Sequence, residues 1–378
     1  MRTGVPGFQG YRLQQAREAI GLSKTSLAAL MDVSVQAISQ YEKQVDRPGT
    51  EVFDRLRKTL KQDAQFFLKP PNNSLADSVC FYRSLASTTK TARSKAEVWK
   101  LWSRELIAYI MRHIEVPKAD FPSFDEVPSD PLQCGMDRIE SVASDVREHW
   151  NLGEGPITNL VETAESKGAI TLRHSLDAET LDALSEWLQP EHFPLIILNA
   201  DKNVAVRSRL DLGHELGHMF LHRGLGMESL RRSDVFRLVE DQAFRFGAAL
   251  LLPEHSFLED LYSVSLDALL ALKLKWKVSI AMMVERLKDL NIVNADQHKR
   301  LRINYSARRW NREEPYDKEI ALEQPKFLAQ AIKLLLDGRA QTLDQISANT
   351  GFSRDWIERL LNLPPELVSS KSQLRLVQ

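Results

Sequence analysis

A chain of 378 residues, 43% hydrophobic and 27% charged, has the balance of a soluble globular protein and the length of two or three domains. That balance excludes a disordered tail and a membrane protein, and a formal net charge of -1 selects no partner. Residues 1–70 carry eleven Lys or Arg against seven Asp or Glu, a basic excess that fits a local polyanion contact or a merely solvated surface.

The opening stretch MRTGVPGFQGYRLQQ has no apolar leader core, and runs such as Leu195 to Leu198 and Ala248 to Leu252 fall far short of a membrane span. A cytoplasmic protein with no membrane partner is expected. Cys80 and Cys134 stand far apart in neither a C-x-x-C nor a disulfide-framework pattern, so both read as free thiols of a reducing compartment.

From Tyr11 to about Leu60 apolar residues recur at helical spacing, with breaks at Gly21 and Leu22, at Asp32 and Val33, and at Arg47-Pro48-Gly49. Ser23 can cap a helix through Leu27, Ala28 and Leu30, and Ser34 a second through Ile38, Tyr41 and Glu42. Two short helices joined by a turn make a helix-turn-helix, with Ser34, Gln36 and Gln40 on the exposed face of the second. Glutamine can bond an adenine edge in the major groove, and Lys24 can meet a phosphate. The bland alternative is a small helical interaction module with ordinary polar glutamines.

Lys24-Thr-Ser-Leu-Ala-Ala29, Val33-Ser-x-x-Ala-Ile-Ser39 and Tyr41-Glu42 followed by Arg47-Pro48 resemble the XRE, or lambda-repressor-like, domain. The resemblance implies binding to double-stranded operator DNA, with a homodimer as the default assembly. Gln44 takes the usual glycine position, which leaves room for a different turn after the second helix.

Lys69 to Ser74, rich in Pro and Asn, reads as a linker. Residues 75–116 read as a helical spacer, with Val98, Trp102, Leu106, Tyr109 and Ile110 on one packing face, followed by a proline-spaced loop to Pro131. Periodicity resumes at Ile139, Val142, Val146 and Trp150. Gly168 to Leu172 and Pro194 to Leu198 read as strands, while 178–188, 207–222, 234–252 and 279–290 read as helices, an α+β pattern. From Glu313 onward the chain reads as helical again. Leu343 to Leu361 has the cadence of a second helix-turn-helix, for which a plain packing pair is the better reading.

His214-Glu215-Leu216-Gly217-His218 is an H-E-x-x-H motif among apolar neighbours. Residues four apart share one helix face, so both imidazoles can reach one zinc ion while Glu215 stands beside it as general base. The alternative is two ordinary histidines with a solvated glutamate. A third ligand must come from elsewhere, because three imidazoles spread over two turns, about 12 Å, cannot converge on one ion and His222 is thereby set aside. Glu240, opening the next predicted helix, is the first choice and Asp241 the second; a favourable N-terminal helix charge is the plain reading of either.

Residues 138–292 resemble the ImmA/IrrE-type metallopeptidases. The match rests on Ala143-x-x-Val-Arg147-x-x-Trp150-x-Leu-Gly-x-Gly155-Pro-Ile157, His214 to His218, Glu240-x-Gln-Ala-x-x-Phe246 closing on Leu-Leu-Leu-Pro253, and Trp276-Lys-Val-Ser-Ile280. The resemblance implies His214, His218 and Glu240 as zinc ligands and Glu215 as catalytic base. Two departures stand out: Phe244 where the family often has Asn or Asp, and Gly247 where it usually has Ala.

The expected architecture is multidomain and mainly α. An all-α helix-turn-helix domain (1–68) precedes a helical spacer and loop (69–135), an α+β zincin-like metallopeptidase domain (136–312) and a helical C-terminal region (313–378). The expected function is a zinc endopeptidase coupled to DNA binding that cleaves a partner repressor, regulator or antitoxin. The rival is a non-enzymatic transcriptional regulator or antitoxin whose peptidase-like domain senses metal or binds a protein. His255, Tyr262 and Tyr305 are open choices for stabilising an oxyanion.

Overall fold

Serine side chains start the two helices of the N-terminal motif. In the computed structural model, which describes residues 4–70, 80–82, 89–124, 127–128, 130–177, 182–188, 193–201 and 203–368, α1 (Gly10–Ala19) precedes α2 (Lys24–Met31) and α3 (Val35–Glu42). Ser23 Oγ accepts from the Ser26 amide at 2.9 Å and Ser34 Oγ from the Ala37 amide at 3.0 Å, each satisfying an amide that the helix leaves open. α4 (Thr50–Leu60) and α5 (Ala64–Leu68) complete the unit. A Cβ on Gly10 would lie 2.1 Å from the Tyr41 carbonyl oxygen, so α1 rests on the backbone of α3 only because residue 10 is glycine. Gln44 sits at φ 58, the left-handed turn that glycine normally serves, at a cost of about 1 kcal/mol. The chain makes the left-handed turn with glutamine in the glycine position.

Two segments expected as helix differ in the structure. The helix expected over 75–116 begins at Lys90 instead: α6 (Lys90–Ile110) is capped by Thr89, while Cys80–Tyr82 form a short strand, β1. The remaining residues of 75–88 lie outside the described ones. Of the segment expected as a helix over 178–188, Ala183–Leu188 form strand β3, and 178–181 lie outside the described residues. After a 3-10 turn (Pro131–Gln133) come α7 (Met136–His149), α8 (Leu160–Ser166), β2 (Ile170–His174), β3 (Ala183–Leu188) and β4 (Phe193–Asn199). All six residues of β3 are buried, so no period-2 alternation marks it as a strand, and Leu184 and Leu188 fall at a helical interval by coincidence.

The sheet runs β1-β3-β4-β2, with β2 parallel to β4 and the other pairs antiparallel. It partitions two cores. Leu184, Leu188, Leu195 and Ile197 face the core built on α1 to α6, whereas Ala183, Trp187, Ile196 and Leu198 face the core of the second domain. On that second side lie α9 (Ala205–Leu221), α10 (Met227–Leu230), α11 (Ser233–Leu251), α12 (Glu254–Asp260), α13 (Leu266–Trp276), α14 (Ile280–Asp289) and α15 (Ala295–Ala307). Buried Arg147 of α7 donates to the carbonyls of Gly153, Gly155 and Leu250, tying the Trp150 to Gly155 loop to the end of α11.

The helical expectation from Glu313 onward is corrected as well: residues 313–326 are irregular, and helix resumes only at α16 (Phe327–Asp337). The irregular stretch is pinned by charge. Lys273 donates to Glu314, which also accepts from the first amides of α14, and Glu323 accepts from Arg209 and from the first amides of α8. The chain then returns to the N-terminal core through α16, α17 (Leu343–Thr350) and α18 (Arg354–Leu361), before α19 (Pro365–Val368). Phe352 packs tilted on Phe66 and edge-on against Trp102, Trp356 packs edge-on against Trp102, and Trp356 donates to the Leu60 carbonyl. The pair α17 and α18 is thus a packing unit.

Candidate metal centre and DNA-binding face

The candidate metal centre is made by two helices in backbone contact. Gly213 and Gly217 of α9 face Gly247 and Ala243 of α11: a Cβ on Gly217 would lie 2.9 Å from Ala243 Cα, and one on Gly247 would lie 2.9 Å from the His214 amide nitrogen. Small residues permit that approach. It brings Glu240 of α11 over the histidine face of α9, with Glu240 Oε2 3.4 Å from His214 Nε2 and Oε1 3.3 Å from His218 Nε2. The two Nε2 atoms are 3.0 Å apart.

This donor set fits a zinc ion. Bonds of about 2.0–2.1 Å at tetrahedral angles place donor atoms roughly 3.3 Å from one another, close to the three separations here. The Glu240 oxygens are also buried without a hydrogen bond of good geometry, which a cation would supply. Burial opposes ionisation of Glu240, but the adjoining His214 and His218 imidazoles outweigh it and hold the carboxyl far below the ordinary range. Burial, chiefly, lowers His218 to about 4, so its imidazole is neutral and ready to donate a lone pair. Among the described residues the group is His214, His218 and Glu240; Asp241 is exposed and outside it.

His222 ends α9 as a hydrogen bonder, as its spacing requires. Its Nε2 meets Gln242 Oε1 at 3.0 Å and its Nδ1 meets His218 Nδ1 at 3.0 Å. Since Oε1 can only accept, His222 carries its proton on Nε2 and receives the His218 Nδ1 hydrogen, leaving the His218 Nε2 lone pair aimed at the centre. Gln242 is itself fixed by donating to the Pro131 and Cys134 carbonyls. In the sequence Gln242 stands only as part of the Glu240-x-Gln-Ala motif, and its place two residues after Glu240 is the one local signal of this role.

Glu215 is 1% exposed and accepts a hydrogen bond from Ser185 Oγ of β3. The Phe244 ring packs 4.4 Å from the His214 ring, an apolar wall where the resemblance has a polar residue. Of the oxyanion choices, His255 and Tyr262 lie on the exposed surface, and the Tyr305 hydroxyl is committed to Glu314 and the Trp310 carbonyl. A cavity of about 690 Å³ beside Phe244 is lined by Asp182, Arg207, Asp211, Asp241 and Ala248, among others.

On the N-terminal motif, Ser34 and Gln36 are exposed and Gln40 is half-buried on α3. Lys24 is half-exposed at the start of α2, with its Nζ 3.0 Å from Glu42 Oε2. Glu42 is buried and also held by Arg17, an ion pair that locks α1 to α3. No described helix is long and apolar enough to cross a membrane.

Fold and site together define a helix-turn-helix protein with a metallopeptidase-like second domain. Residues 164–288 match the family described as the IrrE N-terminal-like domain, peptidase M78, and residues 13–67 match a helix-turn-helix family. The chain carries an IrrE N-terminal-like domain behind an N-terminal XRE-type helix-turn-helix domain. It is similar to a protein of Sinorhizobium fredii (strain NBRC 101917 / NGR234) described as an uncharacterized HTH-type transcriptional regulator. The two are 32% identical over 71 residues, 19% of this chain and 50% of that protein. The chain thus spans about half the length of the curated relative it matches.

Proposed function

We propose that the chain is a zinc-dependent endopeptidase coupled to DNA binding, whose substrate is a partner regulator protein such as a repressor or antitoxin. The observation that carries this reading is the buried triad His214, His218 and Glu240 with Glu215 in the same helical turn. His214 and His218 would offer Nε2 and Glu240 a carboxylate oxygen to the ion, leaving a fourth position open. When bound, zinc supplies Lewis acidity for the scissile carbonyl. Glu215, held at Oε2 by Ser185, accepts the proton of the attacking water and returns it to the leaving amine. Gln242 and His222 hold His218 in the tautomer that keeps Nε2 unprotonated.

At the other end, Gln36 and Gln40 would read bases and Lys24 a phosphate, with Ser34 at the helix start, on operator DNA. The 1–68 unit would recognise DNA and the 136–312 unit would carry the chemistry, in a cytoplasmic homodimer. The test incubates the zinc-loaded chain with the regulator encoded beside it, with Glu215→Gln as control. Cleavage by the parent alone supports the reading; equal cleavage by Glu215→Gln refutes the mechanism. Phe244, apolar against His214, favours a second reading, a regulator that binds metal and a protein without turnover. Zinc and DNA binding with no cleavage of any partner would select it.

A further inference from the structure

Affinity for a duplex needs cations, because each phosphate that a Lys or Arg neutralises releases a condensed counterion. The two helices of the N-terminal motif are poor in them. From Lys24 to Glu42 the chain holds one cation, Lys24 itself, and it lies 3.0 Å from buried Glu42. Arg17, near the end of α1, is buried on the same carboxylate. Lys43 and Arg47 are exposed beyond the end of α3. At the start of α2, where the first helix of such a motif crosses the DNA backbone, Lys24 has no such company from α1 to α3.

α6 supplies cations on that side. It runs antiparallel along α1: Glu105 pairs with Arg12 at 2.8 Å, Trp102 donates to Gln15 at 3.2 Å, and Trp99 donates to the Ala19 carbonyl at 2.7 Å. α1 stops at Ala19, whereas the residues of α6 from Lys90 to Trp99 add about 13 Å of helix. The first turns of α6 therefore project past α1 to the turn before α2, where a Cβ on Gly21 would lie 3.8 Å from Thr91 Cγ2. Lys90 and Arg93 stand on either side of Thr91 in sequence, both are exposed, and the first turn of α6 carries no acid. These residues lie outside the helix-turn-helix match at 13–67.

We propose that Lys90 and Arg93 extend the DNA-binding face and hold the sugar–phosphate backbone of double-stranded DNA beside the α1–α2 turn. Cations then stand at both ends of the motif, Lys43 and Arg47 after α3 and the α6 pair before α2. The inference rests on the DNA-binding reading of the motif and adds the helix behind it to the DNA-binding unit. Choice of base stays with α3, since contacts to phosphate position a protein without reading sequence.

The test uses the full chain and a fluorescein-labelled duplex of mixed sequence, long enough to cover the whole face, with binding read by anisotropy between about 50 and 200 mM salt. Lys90→Gln with Arg93→Gln should make the slope of log affinity against log salt shallower by about 1.8 and weaken binding near 100 mM salt by roughly 10- to 60-fold. Lys90→Arg should bind as the parent does. Lys299→Gln with Arg300→Gln removes the same charge from the exposed side of α15 and should leave the slope unchanged. Should Arg93→Gln lose helical circular dichroism, Lys90→Gln alone carries the test, with a slope shallower by about 0.9. A parental slope in the α6 variants, or an equal change in the α15 control, overturns the proposal. Lys24→Gln separates this from the reading beneath it. If Lys24→Gln weakens binding and the α6 variants do not, the motif binds DNA without α6; if the parent fails to bind the duplex, the DNA-binding reading falls and the inference with it.

Discussion

Ser185 and Glu186 are consecutive residues of β3 that serve opposite sides of the sheet. The Ser185 hydroxyl donates to Glu215, while the Glu186 carboxylate lies 3.4 Å from the Arg104 guanidinium of α6, in the core shared with the DNA-binding helices. One strand therefore contacts both modules. Ser185→Ala removes only the inner contact, and its expected effect is a roughly 10- to 100-fold loss of peptidase activity at unchanged zinc content, the usual range for a partner one shell out. Activity at the parent level would show that Glu215 needs no such support.

Glu240→Ala removes one of three donors and the only one with negative charge. About one zinc per chain is expected for the parent and none after dialysis for the variant, with the helical circular dichroism of the two superimposable. Metal analysis by mass spectrometry decides it, and retention of zinc by Glu240→Ala would reassign the ligand.

The Gln242 and His222 relay makes a separate prediction for affinity. Gln242→Leu cannot accept from His222 Nε2, so the tautomer of His218 is no longer dictated. Zinc affinity should fall by about 10- to 100-fold, measured by competition with a chelating dye. An unchanged affinity would mean that the metal alone sets the tautomer.

Close approach of α9 and α11 gives a prediction about shape. Gly217→Ala would thrust its methyl to 2.9 Å from Ala243 backbone, and helix backbones yield poorly, so a loss of about 1–3 kcal/mol in stability is expected together with weaker zinc binding. Denaturant midpoints with and without zinc test both parts, and a neutral result for both would contradict the packing described.

On DNA, Gln36 is exposed while Lys24 already has a partner in Glu42. Gln36→Ala should narrow the gap between operator and random sequence by about 1–3 kcal/mol, whereas Lys24→Ala should weaken both alike. Parallel titrations on the two duplexes read the ratio, and an unaltered ratio for Gln36→Ala would assign base reading elsewhere.

The pH dependence of stability has a definite sign. Burial pushes His174 down to about 3, where its ring packs on Trp99 and meets Ser103 Oγ at 3.2 Å. The unfolded imidazole takes its proton near 6.5, so between those values the unfolded state binds more protons. The full contribution is present above pH 6.5 and declines as pH falls toward 3. Between pH 7 and 5 the parent should lose about 2 kcal/mol more than His174→Gln. Urea midpoints at the two pH values measure it, and equal losses would assign the sensitivity to other groups.

The readable parts of the sequence were those whose signal is local. Ser23 and Ser34 announce their helices within three residues, and the spacing of His214 and His218 is a property of one helix. What could not be read is set by partners distant in the chain. Ala183–Leu188 becomes a strand because β1 and β4 flank it and both faces are covered, which erases alternation. Cys80–Tyr82 gains its ladder from residues about a hundred positions later. Nor does any local pattern reveal that Phe352 and Trp356 belong with Phe66 and Trp102.

That last contact has a consequence for biosynthesis. The aromatic cluster joining Phe66 and Trp102 to Phe352 and Trp356 cannot close until some 250 further residues have left the ribosome, a wait on the order of tens of seconds at ordinary elongation rates. Until then the helix-turn-helix unit lacks the cover that Phe352 and Trp356 give its apolar flank. The apolar flank of the N-terminal unit is accordingly closed by residues 352–361 rather than by the helix-turn-helix itself.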